Sequence, residues 1–201
     1  MKTLLAVLMA LAFIGSAIAE PFDYTKIKPE HYKNLADKSE FTDKNGEKFK
    51  IKNTNFQKGL YIQITSNGRK QWKKHGVFYS IRSDGTVYEM VTYSFGKKDG
   101  LKESYNNKGI VKFRYYYKNN QKHGSWTQFN DKGVKVSEAT YEYDLEQGKV
   151  YNYSNGKLHF EKDYVDGKRH GEVLQYNTSS GKLVARSQYN KGKKIGKTQW
   201  Y

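Results

Sequence analysis

Short runs of aromatic and β-branched residues alternate with polar, glycine-containing segments over residues 59–201. Each run has about six to eight residues rich in Tyr, Val, Phe and Thr, the length and composition of a β-strand. The segments between them read NNKG, NDKG and SNG on one side and FGKKDG, NNQKHG, DGKRHG and KGKKIG on the other. Glycine and asparagine readily accept the positive φ that tight turns need. The pattern therefore predicts strands joined by tight turns.

The same pattern recurs at intervals of 23 to 25 residues. Glycines predicted to close the first turn are Gly76, Gly100, Gly124, Gly148, Gly171 and Gly196, and a second column holds Gly85, Gly109, Gly133, Gly156 and Gly181. A tyrosine follows each second glycine by eight residues, at Tyr93, Tyr117, Tyr141, Tyr164 and Tyr189. This period holds two strands and two turns but no room for a helix of about ten residues. We predict an all-β, single-layer antiparallel meander of tandem β-hairpin repeats.

The openings Tyr-x-x-Gly-x-x-x-Gly resemble the MORN repeat in its bacterial variant form. They occur at Tyr93/Gly96/Gly100, Tyr164/Gly167/Gly171 and Tyr189/Gly192/Gly196, whereas Asn120 and Asp144 replace the first glycine in the two copies between them. The resemblance covers roughly residues 59–201. It implies a hairpin-repeat fold and a role as a scaffold for proteins, sometimes for lipid. Some bacterial variants are grouped with antitoxins.

The first 19 residues have the composition of a signal peptide. Lys2 supplies the positive end, Leu4–Ile14 is apolar, and Ala17-Ile18-Ala19 fits a cleavage site. The apolar run is too short to span a membrane as a helix. We therefore predict an exported protein, periplasmic or secreted, and the alternative is an N-terminal anchor. The sequence has no cysteine, so it forms no disulfide.

Residues 20–58 are predicted to be an N-terminal capping segment, and residues 59–201 the MORN-like repeat domain. The capping segment is expected to cover the first edge of the sheet, and within it Pro29–Ala36 is interpreted as a short helix. Gly59 to His75 is interpreted as a degenerate copy whose second strand is shortened to about Arg69–Lys74.

Composition favours a thin sheet over a two-layer sandwich. The apolar fraction is 36%, and most runs carry only two or three large apolar side chains, usually aromatic. A sandwich needs a continuous aliphatic core, so one apolar and one wet face are expected. The tyrosine column is interpreted as a structural ladder. The alternative is that some rings form a binding face.

No catalytic or metal-binding motif is apparent. His75, His123 and His170 share one repeat position, but neighbouring copies lie about 19 Å apart if four strands separate them. Zinc nitrogens lie about 2 Å from the metal, so a shared site is excluded unless the sheet closes. The histidines are interpreted as exposed turn residues. We expect neither an enzyme, a cofactor nor a metal site.

Basic residues supply the remaining functional signal. Lys97, Lys98, Lys122, Lys168, Arg169, Lys193 and Lys194 share a repeat position, and we call them the basic row. The whole chain carries a formal charge of +16. A regular row of cations suits a polyanion, although lysines also keep open sheets soluble. The acidic loop Glu142–Glu146 interrupts the row.

The predicted function is a non-catalytic scaffold that binds another protein at the bacterial envelope. The first alternative is a binder of lipopolysaccharide, polysaccharide, anionic lipid or extracellular DNA through the basic row, with nucleic acid the least favoured of these ligands. The second alternative is an antitoxin or immunity-type protein.

Overall fold

The structure is a computed structural model that describes residues 28–32, 35–43 and 45–201. The predicted signal peptide lies outside these residues. Within them the order is a 3-10 helix, Pro29–Tyr32, followed by fourteen strands: β1 Glu40–Thr42, β2 Lys48–Asn53, β3 Gln57–Ser66, β4 Arg69–Ile81, β5 Val87–Ser94, β6 Lys97–Tyr105, β7 Val111–Lys118, β8 Gln121–Phe129, β9 Lys135–Glu142, β10 Leu145–Ser154, β11 Lys157–Val165, β12 Lys168–Tyr176, β13 Leu183–Asn190 and β14 Lys193–Trp200.

The strands pair in chain order, which confirms the predicted antiparallel hairpin meander. The described residues form one 14-stranded open sheet whose strand order is the sequence order. The chain divides into two compact units, the first ending at Lys98 and the second comprising Asp99–Tyr201. Their boundary falls within β6, and each unit is described separately below.

The first glycine column lies inside strands, so the prediction that these glycines close the turns is wrong. All six have positive φ: Gly76, Gly100, Gly124, Gly148, Gly171 and Gly196. The strand register shifts beside them. In β7 and β8, Tyr117 faces Lys122 but Tyr115 faces Trp126, so β8 contains two extra residues around its glycine. Glycine is suited to such a bulge because it has no Cβ.

Each tyrosine of the repeat faces one of these glycines, which lies on the preceding strand. The register pairs Gly76 with Tyr93, Gly100 with Tyr117, Gly124 with Tyr141, Gly148 with Tyr164 and Gly171 with Tyr189. Cross-strand partners project to the same face of a sheet. Because glycine has no side chain, it leaves room on that face for the tyrosine ring. This pairing explains why the first glycine column and the tyrosine column repeat together.

The turns are shorter than the polar segments suggested. Two residues, both with positive φ, connect β5 to β6, β7 to β8, β9 to β10, β11 to β12 and β13 to β14, at Phe95-Gly96, Asn119-Asn120, Tyr143-Asp144, Asp166-Gly167 and Lys191-Gly192. Two positive φ values are the signature of a type I′ hairpin turn. The basic row therefore occupies the first two positions of strands, not the turns.

Four of these two-residue turns are joined to the hairpin before them. The second turn residue donates its amide N–H to a carbonyl of the preceding hairpin. Gly96 donates to Lys74 at 2.8 Å, Asp144 to Lys122 at 3.0 Å, Gly167 to Glu146 at 2.9 Å and Gly192 to Arg169 at 2.8 Å. Since these carbonyls belong to equivalent positions, two residues before the bulge glycine, every copy in this series is fixed to its neighbour in the same way.

The longer turns on the opposite side use an asparagine. The Asn106 side-chain oxygen accepts the backbone N–H groups of Lys108 at 2.9 Å and Ile110 at 3.0 Å. Asn130 does the same for Lys132 and Val134 at the same distances. An Asx side chain that accepts nearby backbone groups stabilises a turn.

The N-terminal segment of the first unit packs on the face of the sheet and contributes strands to it. Tyr32, at the end of the 3-10 helix, forms a buried cluster with Ile51 and Leu60 of β2 and β3. A 3-10 helix, Pro29–Tyr32, lies in the stretch where a short helix was predicted, and β2 of the same segment pairs with β3. Asn53 secures the segment by donating to the carbonyl of Tyr32 at 2.9 Å.

Strand β4 runs without a break through Gly76 to Ile81, so the shortened strand predicted at Arg69–Lys74 is wrong. The first unit buries its large apolar side chains in β2 to β5: Phe49, Ile51, Leu60, Ile62, Val77, Phe78, Tyr79, Ile81 and Val91. In the second unit the buried side chains are smaller or polar: Glu103, Ser137, Ala139, Val150 and Ala185.

Candidate interaction surface

The second position of the basic row packs on the tyrosine ladder. Lys122 of β8 places its Nζ 5.3 Å from the ring centre of Tyr115 and 5.0 Å from that of Tyr141. The Arg169 guanidinium lies 4.4 Å from the ring centre of Tyr189. Cations over ring faces contribute about 0.5–1 kcal/mol at exposed sites. Lys122 and Arg169 therefore have a structural role in the second unit.

The first unit contains the same arrangement. Lys74 of β4 lies 4.8 Å from the ring centre of Phe78 and 4.9 Å from that of Tyr93. Burial lowers the pKa of Lys74, which is consistent with an ammonium group enclosed between two rings. Lys97, at the end of this unit, is exposed, and its neighbour Lys98 is half-buried.

In β10 the second strand position, which Lys122 and Arg169 hold in β8 and β12, is occupied by the acidic residue Glu146. Its carboxylate accepts a hydrogen bond from the Tyr141 hydroxyl at 3.2 Å. Burial, together with the Glu146 charge, raises the pKa of Tyr141 to about 12. The acidic loop noted in the sequence therefore belongs to the same column as Lys122 and Arg169.

Two of the three repeated histidines contact turns. His75, in the first unit, lies 4.9 Å from the Phe95 ring and accepts the Phe95 N–H at 3.4 Å. His123, in the second unit, lies 5.5 Å from the Tyr143 ring. Both are half-buried within strands, so their interpretation as exposed turn residues is wrong, whereas His170 is exposed on β12. No group of three potential metal ligands occurs within the described residues.

Exposed apolar side chains lie on two neighbouring turns of the second unit. We call Tyr143, Leu145 and Val165 the turn patch; their exposed fractions are 63%, 45% and 48%. A Cβ built on Gly167 would lie 3.4 Å from Leu145 Cδ2, which places Leu145 against the next turn. The patch is therefore continuous between these two turns.

Three carboxylates and one lysine border the turn patch, the lysine being Lys168, which faces Val165 across the hairpin. Glu142, Asp144 and Asp166 are exposed beside it. Asp144 Oδ1 accepts the Lys122 N–H at 2.8 Å, and Asp166 Oδ1 accepts a hydrogen bond from Gln147 Nε2 at 2.6 Å. These bonds hold the carboxylates of Asp144 and Asp166 in place. The patch therefore has an apolar centre and a mainly acidic border.

The turn patch was missed as a site in the sequence, although a signal for it was present. Leu145 stands at the repeat position held by Lys97, Lys168 and Lys193. Tyr143 has φ of 49° at a turn position where Asn67, Asn119 and Asn155 stand in other hairpins, and Phe95 is the other aromatic residue there, with φ of 46°. An aromatic residue in the left-handed region is unfavourable relative to Asn or Gly. At Tyr143 this departure coincides with Leu145 and with the acidic loop.

Comparison with known proteins does not identify the chain. No family model matches the sequence, and no curated protein matches it, so the resemblance to MORN repeats stays a prediction. A solved structure of a point mutant of S. aureus TarM, in complex with fondaparinux, alpha-GlcNAc-glycerol and UDP, is 14% identical. The match covers 83% of this chain and 27% of that one, with a TM-score of 0.22. Among the described residues, no helix is long and apolar enough to cross a membrane.

Proposed function

We propose that this chain is an exported, non-catalytic scaffold that binds another protein through the turn patch. The observation that carries the proposal is an exposed apolar surface formed by Tyr143, Leu145 and Val165 at a break in an otherwise basic row. Apolar centres with polar rims are typical of protein interfaces.

Charge specifies the kind of partner. The rim has three carboxylates, Glu142, Asp144 and Asp166, against one lysine, Lys168, on a chain whose formal charge is +16. A partner surface with an apolar centre and lysine or arginine at its border would complement the patch, and opposite charges would speed its association. The occupant we propose is therefore a different protein with a basic rim.

The test is affinity capture from an extract of the parent organism with the purified chain as bait. The double variant Leu145→Ser, Val165→Ser is compared with wild type and with a matched control, Val134→Ser, Ile195→Ser, which alters exposed apolar residues outside the patch. Salt at about 0.5 M screens charge attraction beyond a few ångströms. We expect one protein to be retained in near-equal molar amount by wild type and control, and lost with the patch variant.

Capture that is equal for the patch variant and wild type would contradict the proposal, as would the loss of all capture at high salt. Sedimentation of the purified chain checks the occupant. Self-association that depends on Leu145 would mean that a second copy, not a different protein, covers the patch.

A further inference from the structure

The hairpin of β13 and β14, which we call the terminal hairpin, differs in charge from the rest of the second unit. Glu172 is the last acidic residue of the sequence. Six basic residues follow it: Lys182, Arg186, Lys191, Lys193, Lys194 and Lys197. A segment that has basic residues and no acidic ones produces a positive potential at its surface. Carboxylates farther away in the unit do not neutralise this potential for a ligand in direct contact with the segment.

Several carboxylates on the other strands of the unit are paired with cations. Glu103 contacts Arg114 at 2.6 Å and is largely buried, and Asp163 contacts Lys149 at 3.4 Å. In contrast, Lys182, Lys191, Lys193 and Lys197 are exposed and form no ion pair with any residue that the structure describes. The terminal hairpin therefore presents cations that are free to pair with a ligand.

The number of these cations favours a ligand with several charges. Lys191, Lys193 and Lys197 follow one another along the turn and β14, and no carboxylate stands among them. Lys194 projects to the opposite face of β14, where its Nζ contacts the Thr198 hydroxyl. A thin polymer that follows the strand can reach cations on both faces.

The apolar side chains of β14 argue against a membrane surface. Ile195 and Trp200 are both exposed, Trp200 by 73%. The register pairs Ile195 with Gln188 and Trp200 with Ala185, and these partners lie on opposite faces of β13 because successive side chains alternate. One planar bilayer surface could not bury both residues.

We propose that the terminal hairpin is a second binding site, which takes a linear anionic polysaccharide. Lysine ammonium groups act as point charges and match separated carboxylates or sulfates, while the exposed Trp200 and Tyr201 rings can lie against sugar rings. The predicted export places the site where such polymers occur, and this makes polysaccharide a better candidate than nucleic acid. The site shares no residue with the turn patch.

Binding is measured by fluorescence anisotropy with labelled polygalacturonate and dextran sulfate as probes, and neutral dextran as the uncharged probe. We expect both anionic polymers to bind wild type and to dissociate as salt rises from about 50 to about 200 mM. The triple variant Lys191→Gln, Lys193→Gln, Lys197→Gln should bind at least about tenfold more weakly, with a salt slope lower by roughly one for each lysine that pairs with the polymer in wild type.

The matched control is Lys108→Gln, Lys132→Gln, Lys157→Gln, which removes the same charge from exposed residues in or next to the turns on the opposite side of the hairpins. It should retain affinity within about threefold, if contacts and not net charge decide binding. Equal weakening by the two triple variants would overturn the site. Tighter binding to single-stranded DNA or to vesicles of anionic lipid than to both polysaccharides would overturn the ligand class. Because the turn patch is intact in both variants, failure here leaves the protein-binding proposal standing.

Discussion

At the scale of single residues, the repeat consists of a charged side chain and a glycine on one strand and a tyrosine on the next. Tyr141 faces Gly124 and lies under Lys122, and Tyr189 faces Gly171 and lies under Arg169. The glycine permits a bulge, the ring covers it, and the charged side chain two residues before the glycine packs on the ring. Packing on the tyrosine ring therefore explains the charged residue at the second position of the basic row, without any role in ligand binding.

The glycine positions differ in what a methyl group would meet. A Cβ on Gly171 would lie 2.9 Å from Asp163 Oδ2, an oxygen that accepts the Glu172 N–H, whereas a Cβ on Gly148 would meet nothing within 4 Å. Both residues have positive φ. Urea unfolding should show a loss of about 1 kcal/mol for Gly148→Ala from backbone strain, and about 2–3 kcal/mol for Gly171→Ala. Equal losses would mean that displacement of Asp163 carries no cost.

Protonation of His75 should destabilise the first unit. Burial lowers the pKa of His75, so the folded state binds a proton less tightly than the unfolded state does. Stability is therefore complete above the ordinary histidine pKa of about 6.5 and falls as the pH drops below it. Protonated Nδ1 also cannot accept the Phe95 N–H. The free energy of unfolding, measured between pH 7.5 and pH 5, should decline less in His75→Gln; identical slopes would contradict this account.

At the scale of elements, the hairpin and its period could be predicted from the sequence, but the turn boundaries could not. Glycine repeated within each polar segment pointed to a long turn. The chain instead turns at two residues such as Asn119-Asn120, and Gly124 lies inside the following strand. Positive φ at a turn and at a bulge produce the same glycine signal, so the residue type alone does not distinguish them.

The candidate site was only partly predictable, for a related reason. The basic row was visible as a column, but its packing on rings depends on the register, which places Lys122 over Tyr141 and Arg169 over Tyr189. The turn patch depends on which residues occupy the two-residue turns. Once those turns are known, Tyr143 and Phe95 are seen at a turn position that does not favour aromatic residues, and Tyr143 is the one that lies beside the exposed Leu145.

Replacing Tyr143 with asparagine should separate stability from binding. Asparagine accepts the positive φ at this position more readily than tyrosine, while removal of the ring packed on His123 offsets part of that gain. In urea unfolding, we expect the free energy of unfolding of Tyr143→Asn to equal that of wild type or to exceed it by up to about 1 kcal/mol. Partner capture should fall by at least about tenfold, the loss expected of an interface aromatic. A variant that is less stable than wild type and still captures the partner would contradict this prediction.

At the scale of the molecule, the two units differ in what they bury. Large side chains such as Phe49, Ile62 and Val77 are enclosed in the first unit, whereas Ala139 and Ala185 are among the buried residues of the second. In a repeat sheet, each hairpin is stabilised mainly by its neighbours. The second unit therefore exposes surface along its turns and its terminal hairpin, and it is this exposed surface that we connect with binding.

Hydrogen–deuterium exchange of the chain, alone and with its captured protein partner, tests the central claim most directly. Binding at the turn patch should slow exchange in peptides that contain Tyr143–Leu145 and Val165–Gly167, because the partner excludes water from these turns and suppresses their local opening. The long turns that begin at Asn106 and Asn130 should exchange as before. Protection confined to the terminal hairpin or to the long turns, with the turn patch unchanged, would contradict the claim that this surface is the binding site.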